Sequence, residues 1–265
     1  MQSVKERPSF AKRQKFGAAI MAISKEDFKD EASQKGDWRL WHKAAILIPI
    51  FIITYILIIF RPFVVWFKVV LLIFLGIVAA SIGFNVGHDA NHGSFSKKKW
   101  LNDLFSLSFN LLGAVASIWR LKHNTLHHFF TNLLGLDEDV SAGPLLRLHN
   151  SQKWKKIHTL QPYYCWFLYG MLYFAWILWN DFKKIFQGHI EGHKIPITKK
   201  DRWIFVFTKL FHLMFFWFIP ILVVGWKAFA LGYFIYGFTV GITTAVVFQL
   251  AHIVEKVSQP EEKVA

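Results

Sequence analysis

The twelve histidines are the residues whose spacing most constrains their chemistry. His88 and His92 stand four apart in NVGHDANHGSF, and His123, His127 and His128 follow in WRLKHNTLHHFFTN. On a helix, a spacing of four stacks two imidazoles on one face, as a single metal centre requires of ligands from one element. His128 is rotated from His127 by about 100° and is expected to face a second metal rather than crowd the first. A sixth histidine, His252, closes the apolar run FQLAH.

Imidazole suits zinc, copper, iron and nickel, so the ligand type alone does not choose a metal. There is no HExxH with its catalytic glutamate, no methionine-rich path for copper, and only one cysteine, Cys165, inside an apolar run. Five or six imidazoles exceed what one tetrahedral zinc can use. Two metals are implied, and two redox-active irons would employ this many neutral ligands while leaving positions open for dioxygen. His42, His149, His158 and His212 lack the spacing and read as ordinary polar or anchoring residues. His189 and His193 repeat it in HIEGH, but Gly192 and the surrounding basic loop weaken a helix there, so they read as non-ligands.

The elements that position these residues are membrane spans. Of the 265 residues, 54% are hydrophobic, 18% aromatic and only 18% charged, where a soluble domain has about 45–50% apolar and about 25% charged residues. That composition excludes a soluble globular protein, and a lone cysteine excludes a disulfide-stapled secreted domain. The net charge of +14 is read as loops held at an anionic cytoplasmic leaflet, with no nucleic-acid partner. Residues 44–60, 69–86, 204–226 and 228–251 are each long enough to cross about 30 Å of hydrocarbon at about 1.5 Å per residue.

Residues 1–43, with ten basic and six acidic residues and no signal peptide, read as a cytosolic tail before a membrane domain over 44–265. Residues 104–118 suit a helix lying at the interface. The run 163–179 has the length to cross, but the six basic residues of 181–202 belong on the same side as the basic stretch 87–162. It is therefore expected to be embedded or interfacial without crossing. The expected fold is an all-α integral membrane protein, multi-pass, with four transmembrane helices in two hairpins and a cytosolic helical cap carrying the histidines. This arrangement puts 25 of the 31 basic residues on the cytoplasmic face, and brings Gln249 and His252 back to it.

The segments NVGHDANHGSF, WRLKHNTLHHFFTNLLGLDEDV and FQLAHIVE together resemble the membrane fatty acyl desaturases, most closely the bacterial delta-6 type front-end branch. The likeness covers nearly the whole chain beyond the tail. It implies that an HxxxH box (His88, His92), a second box (His123, His127, His128) and the later His252 hold a non-haem diiron centre at the cytoplasmic side. The implied reaction is oxygen-dependent insertion of a cis double bond into a long-chain acyl lipid or acyl-CoA held in a bent apolar tunnel. O2 is the co-substrate. Asp89, Asp137, Glu138 and Asp139 are the acidic candidates for orienting the imidazoles, and Gln249 is placed to reach iron through water.

The pattern also departs from the family. No QxxHH box follows His252 and no HPGG haem motif is present. Electrons are thus expected from a separate carrier of ferredoxin or cytochrome b5 type. The chain reads as a piece of a longer protein or as a truncated product, expected by itself to hold fewer than two irons. A membrane diiron hydroxylase or ketolase, or an inactive truncated desaturase, are the alternatives. A metal transporter fits least, because its ligands would lie within the spans rather than at their ends.

Overall fold

The computed structural model describes residues 36–128, 130–134, 137–140, 143–190 and 193–252; the side chains of Thr125, His193 and His252 also lie outside the description. The membrane part consists of α1 (Trp38–Phe60), α2 (Val65–Ile82), α9 (Lys199–Leu213) with α10 (Ile219–Val224), and α11 (Trp226–His252). Between the hairpins come α3 (Asp89–Asn91), α4 (Lys99–Ser106), α5 (Ser108–Leu111), α6 (Ala116–Arg120), α7 (Gln161–Ala175) and α8 (Asp181–Gln187). Apolar sequence in lipid must satisfy its backbone internally, and helices do so within each segment.

Four helices are long and apolar enough to cross a membrane: Trp38–Phe60, Val65–Asn91, Lys199–Val224 and Trp226–Ala251. These are the four expected crossings in two hairpins, with longer limits. The first begins at Trp38 rather than 44, because Asp37 caps the helix by accepting from the Arg39 amide and the first turns carry charge that can reach water. The second runs beyond 86 through His88 to Asn91. Residues 163–179 are not among the four and lie in α7 and the turn after it. The expected interfacial helix over 104–118 is broken: Lys99–Leu111 and Ala116–Asn124 meet at 109°. One exception to the all-α expectation is a short antiparallel pair, β1 (His189–Ile190) with β2 (His193–Lys194), in which Ile190 faces His193. The i, i+4 interval of His189 and His193 is thus a hairpin register and not a helix face.

Small residues let the helices approach closely. A Cβ on Gly241 of α11 would lie 2.3 Å from the Gly170 carbonyl oxygen of α7, and one on Gly76 of α2 would lie 2.7 Å from Thr239. The buried core between α2 and α11 accordingly uses Ala79, Ile82, Val86 and Val240.

A polar clamp ties the third span to the segments above it. Lys209 of α9 donates all three protons of its ammonium group, to Gly113 O at 2.7 Å, Ile177 O at 2.8 Å and Asp181 Oδ2 at 2.9 Å. Asn110 donates to Thr208 at 2.6 Å, and Tyr173 to Leu112 O at 3.1 Å. Lys209 lies inside the apolar run 204–226, and its partners are 28, 32 and 96 positions away. Asp181 is only 1% exposed, so Lys209→Ala is expected to strand a buried carboxylate and cost about 3–5 kcal/mol. Thermal unfolding in detergent checks this: the double variant Lys209→Ala/Asp181→Ala should lose much less than the sum of the two single variants.

Candidate metal centre

The second span does not end as an α-helix. Gly83–His88 is a π-helical turn, followed by the single α-turn Asp89–Asn91 and by Gly93 at φ +70°. This widened end presents His88 and His92 together, with ring centroids 4.5 Å apart. The second box is built the same way, since α6 runs directly into a π-helix over Leu121–His127. His123 and His127 stack with centroids 5.1 Å apart and planes 13° apart.

The π-helix also decides where His128 lies. Its amide bonds to His123 O, five residues back, so the two side chains share a face. The Nε2 atoms of His128 and His123 lie 3.2 Å apart, and the His128 ring is 5.0 Å from that of His92. His128 joins the same cluster instead of turning away from it. All five histidines therefore converge, and potential ligand atoms of His88, His92 and His123 lie within 4.8 Å of one another.

Two carboxylates orient the rings. Asp137, fully buried, accepts from His127 Nδ1 at 3.0 Å on each oxygen, and is itself fixed by the amides of Asn132 at 2.9 Å and Asp139 at 3.0 Å. Asp89 lies 3.1 Å from His88 Nδ1. A carboxylate on Nδ1 sets the tautomer and leaves the Nε2 lone pair for a cation. Burial works against a charged His127, but the Asp137 bond and the charges of Asp139 and Asp137 outweigh it and raise its pKa.

His92 shows most directly what the cluster would hold. Its Nε2 is buried and has no hydrogen-bond partner among the described residues. Burial, reinforced by His88 and His128, presses its pKa down to about 4, so near neutrality it is a neutral imidazole, with one N–H and one lone pair that it can offer to a cation. Neutral nitrogen donors around a buried, unpartnered ring nitrogen fit a transition metal such as iron.

Asp139 comes within ligand distance of His123 and His127, but Lys122 binds it at 2.5 Å. Burial would raise the Asp139 carboxyl; Lys122 overrides this and holds it at about 2. Glu138 pairs with Lys184 at 2.6 Å and Lys122 at 3.3 Å. Of the expected acids, Asp137 and Asp89 thus touch imidazoles, while Glu138 and Asp139 chiefly answer lysines.

The two boxes are locked together by residues that histidine spacing does not mark. Asn91 accepts from Arg120 Nε at 3.1 Å on its side chain and from Asn124 at 3.0 Å on its carbonyl, and donates to Gly87 O at 2.8 Å. Trp119, four before His123, stacks on that ring at 4.2 Å and 21°. An asparagine between two ligands and an aromatic one turn before a third were the available signals. His42, His149, His158 and His212 are not among the converging residues. The α11 helix carries the chain to His252, but that side chain lies outside the described residues.

Two cavities adjoin the cluster. A small apolar one of about 40 Å³ is lined by His88, Trp119, Phe109, Ala79, Tyr173 and Phe248, and so runs from the histidines between α2 and α11. A larger one of about 550 Å³ is lined by Trp119, Asp139, Tyr169, Lys183 and Gln249 among others.

Comparison with known proteins points the same way as the geometry. The chain is 32% identical to an sn-1 linoleoyl-lipid 6-desaturase of Arthrospira platensis over 222 residues, covering 82% of this chain and 59% of that protein. It is 28% identical to an sn-1 linoleoyl-lipid 6-desaturase of a Synechocystis species over 226 residues, covering 84% and 63%. An acyl-lipid (8-3)-desaturase of Physcomitrium patens is 31% identical over 193 residues, covering 71% and 40%. The chain thus spans about three fifths of the length of the first two relatives. No solved structure matches it. The model of the fatty acid desaturase family matches residues 64–263, which include both histidine boxes, and the chain belongs to that family.

Proposed function

We propose that the chain carries the core of an oxygen-dependent acyl-lipid desaturase, which introduces a cis double bond into a long-chain acyl group by means of a non-haem diiron centre. The observation that carries this reading is the convergence of five imidazoles at the end of the second span, with His92 Nε2 buried and unpartnered. His88, His92, His123, His127 and His128, with His252, are the residues that would hold the metal. Two irons bound there supply the oxidising power, drawn from dioxygen, to break an unactivated C–H bond.

The protein's own part is positioning. Asp137 and Asp89 hold His127 and His88 with their lone pairs available, and Trp119 and Asn91 keep the two boxes in register. The apolar residues that line the small cavity at His88 mark where a hydrocarbon chain would approach the cluster. Relatives named as linoleoyl-lipid desaturases support an acyl lipid as substrate, in preference to acyl-CoA. A separate electron carrier, of ferredoxin or cytochrome b5 type, completes the cycle. The basic residues clustered on the histidine side support a cytoplasmic orientation of the site.

In a full-length enzyme that contains these residues, expressed in membranes with a linoleoyl lipid, replacing any one of the five histidines by Ala is expected to abolish the new double bond, read by mass spectrometry of the acyl groups. Two such variants with substantial residual product would exclude the assignment. Asp137→Asn keeps the shape of the side chain and is expected to weaken metal retention by about 10- to 100-fold, read as iron content after dialysis. His158→Ala should be tolerated in both assays.

For orientation, Lys97→Cys and Lys227→Cys are each placed in a Cys165→Ser background. A maleimide that does not cross membranes should label Lys227→Cys from outside the cell and Lys97→Cys only after lysis. Labelling in the reverse order would invert the proposed topology.

A further inference from the structure

On the side of the bundle opposite the histidines lies a cavity that the metal centre does not use. It has a volume of about 180 Å³ and receives walls from all four spans: Ile58, Leu75, Phe216, Pro220 and Gly232. Two tyrosine hydroxyls on its lining are already bonded, Tyr55 to Phe215 O and Tyr233 to His212 Nε2. An apolar cavity of about 150 Å³ takes up a benzene ring and stays free of water. This one therefore has room for a stretch of hydrocarbon.

The charge around it is one-sided. Residues 61–68 and 225–228 join the spans here and carry Arg61, Lys68 and Lys227 with no Asp or Glu. Arg61 is exposed, and Lys227 is exposed with its ammonium 5.7 Å from the Trp226 ring centre. Lys68 differs: it is half-buried and is the one charged residue lining the cavity. It has no acidic partner among the described residues. A partly buried charge left without a counter-ion is stabilised by an anion from elsewhere.

One occupant answers both features, since the walls call for hydrocarbon and Lys68 for an anion. We propose that this cavity is a binding site for an anionic phospholipid of the leaflet opposite the histidines, with an acyl chain between the two hairpins and its phosphate at Lys68. The lipid would join the hairpins on the side where Phe216 and Tyr236, which line the cavity, pack at 5.8 Å between ring centres.

The test uses native mass spectrometry and thermal unfolding of the purified chain in detergent, with phosphatidylglycerol or phosphatidylcholine of identical acyl chains added. Phosphatidylglycerol is expected to stay bound and to raise the melting temperature more than phosphatidylcholine does. Lys68→Ala should weaken phosphatidylglycerol binding by about fivefold, the equivalent of one lysine attraction near an anionic surface, and Lys68→Arg should restore it. Lys227→Ala should keep the preference between the two lipids, which separates a site from a generally basic face. Ala228→Trp, at the exposed edge of the cavity, should block retention of the lipid. Equal binding of both lipids, wild-type binding by Lys68→Ala, or a dimer of the chain forming in place of lipid binding would each overturn the proposal.

Discussion

A buried imidazole is fixed in one tautomer and orientation, with its lone pair free for a cation, when its other nitrogen donates to an acceptor, and much of this structure serves that end. Asp137, with no exposed surface, takes the Nδ1 proton of His127 and is anchored by two backbone amides. An unpaired carboxylate at that depth would be unstable, so the same bond that orients the ring also justifies the buried acid. Lys122 and Lys184 then neutralise Asp139 and Glu138, which the chain brings in beside Asp137. The network reaches α8 through Lys184, where Asp181 meets Lys209 of the third span. The histidine cluster and the membrane bundle are thereby parts of one electrostatic structure.

The second device is geometric. A regular α-helix aligns positions four apart, and adjacent histidines such as His127 and His128 then point in different directions. In the π-helix over Leu121–His127 the hydrogen bonds span five residues, which brings His123 and His128 to one face. A π-turn at Gly83–His88 also precedes the first box, where an α-type bond from the His92 amide to His88 O keeps those two histidines on one face. Single π-helical turns are rare and recur at functional sites; among the described residues two lie where helix ends bring histidines to one point, and two others lie at Trp176–Asn180 and Met214–Phe218.

The two ends of the bundle also differ in what they leave unsatisfied. The histidine cluster leaves ring nitrogens for a ligand, and His92 Nε2 is buried without a partner among the described residues. The other end leaves a half-buried ammonium group, Lys68, beside an apolar cavity. One calls for a cation and the other for an anion attached to hydrocarbon, and neither demand is met by the described residues of the chain.

Hydropathy runs and the placement of basic residues were enough to specify four spans in two hairpins, because the absence of water in a bilayer makes length and polarity decisive. The spacing of His88, His92, His123 and His127 was enough to point to a cluster that could hold metal, because it depends on local helical geometry that sequence carries directly. The direction of His128 was not legible, since a π-helix and an α-helix share the same residues and differ in a hydrogen-bond register set by packing. Nor was Asp137 separable from Glu138 and Asp139, three consecutive acids of which Asp137 accepts from His127 while Glu138 and Asp139 chiefly answer lysines. Lys209 was hidden inside an apolar run because the carbonyls and carboxylate that solvate it come from Gly113, Ile177 and Asp181. Sequence therefore determined which residues could do chemistry and on which side of the bundle, through interactions a few residues apart. Tertiary structure decided which of them meet, because a buried charge or lone pair is satisfied by whatever the fold brings to it, however distant along the chain.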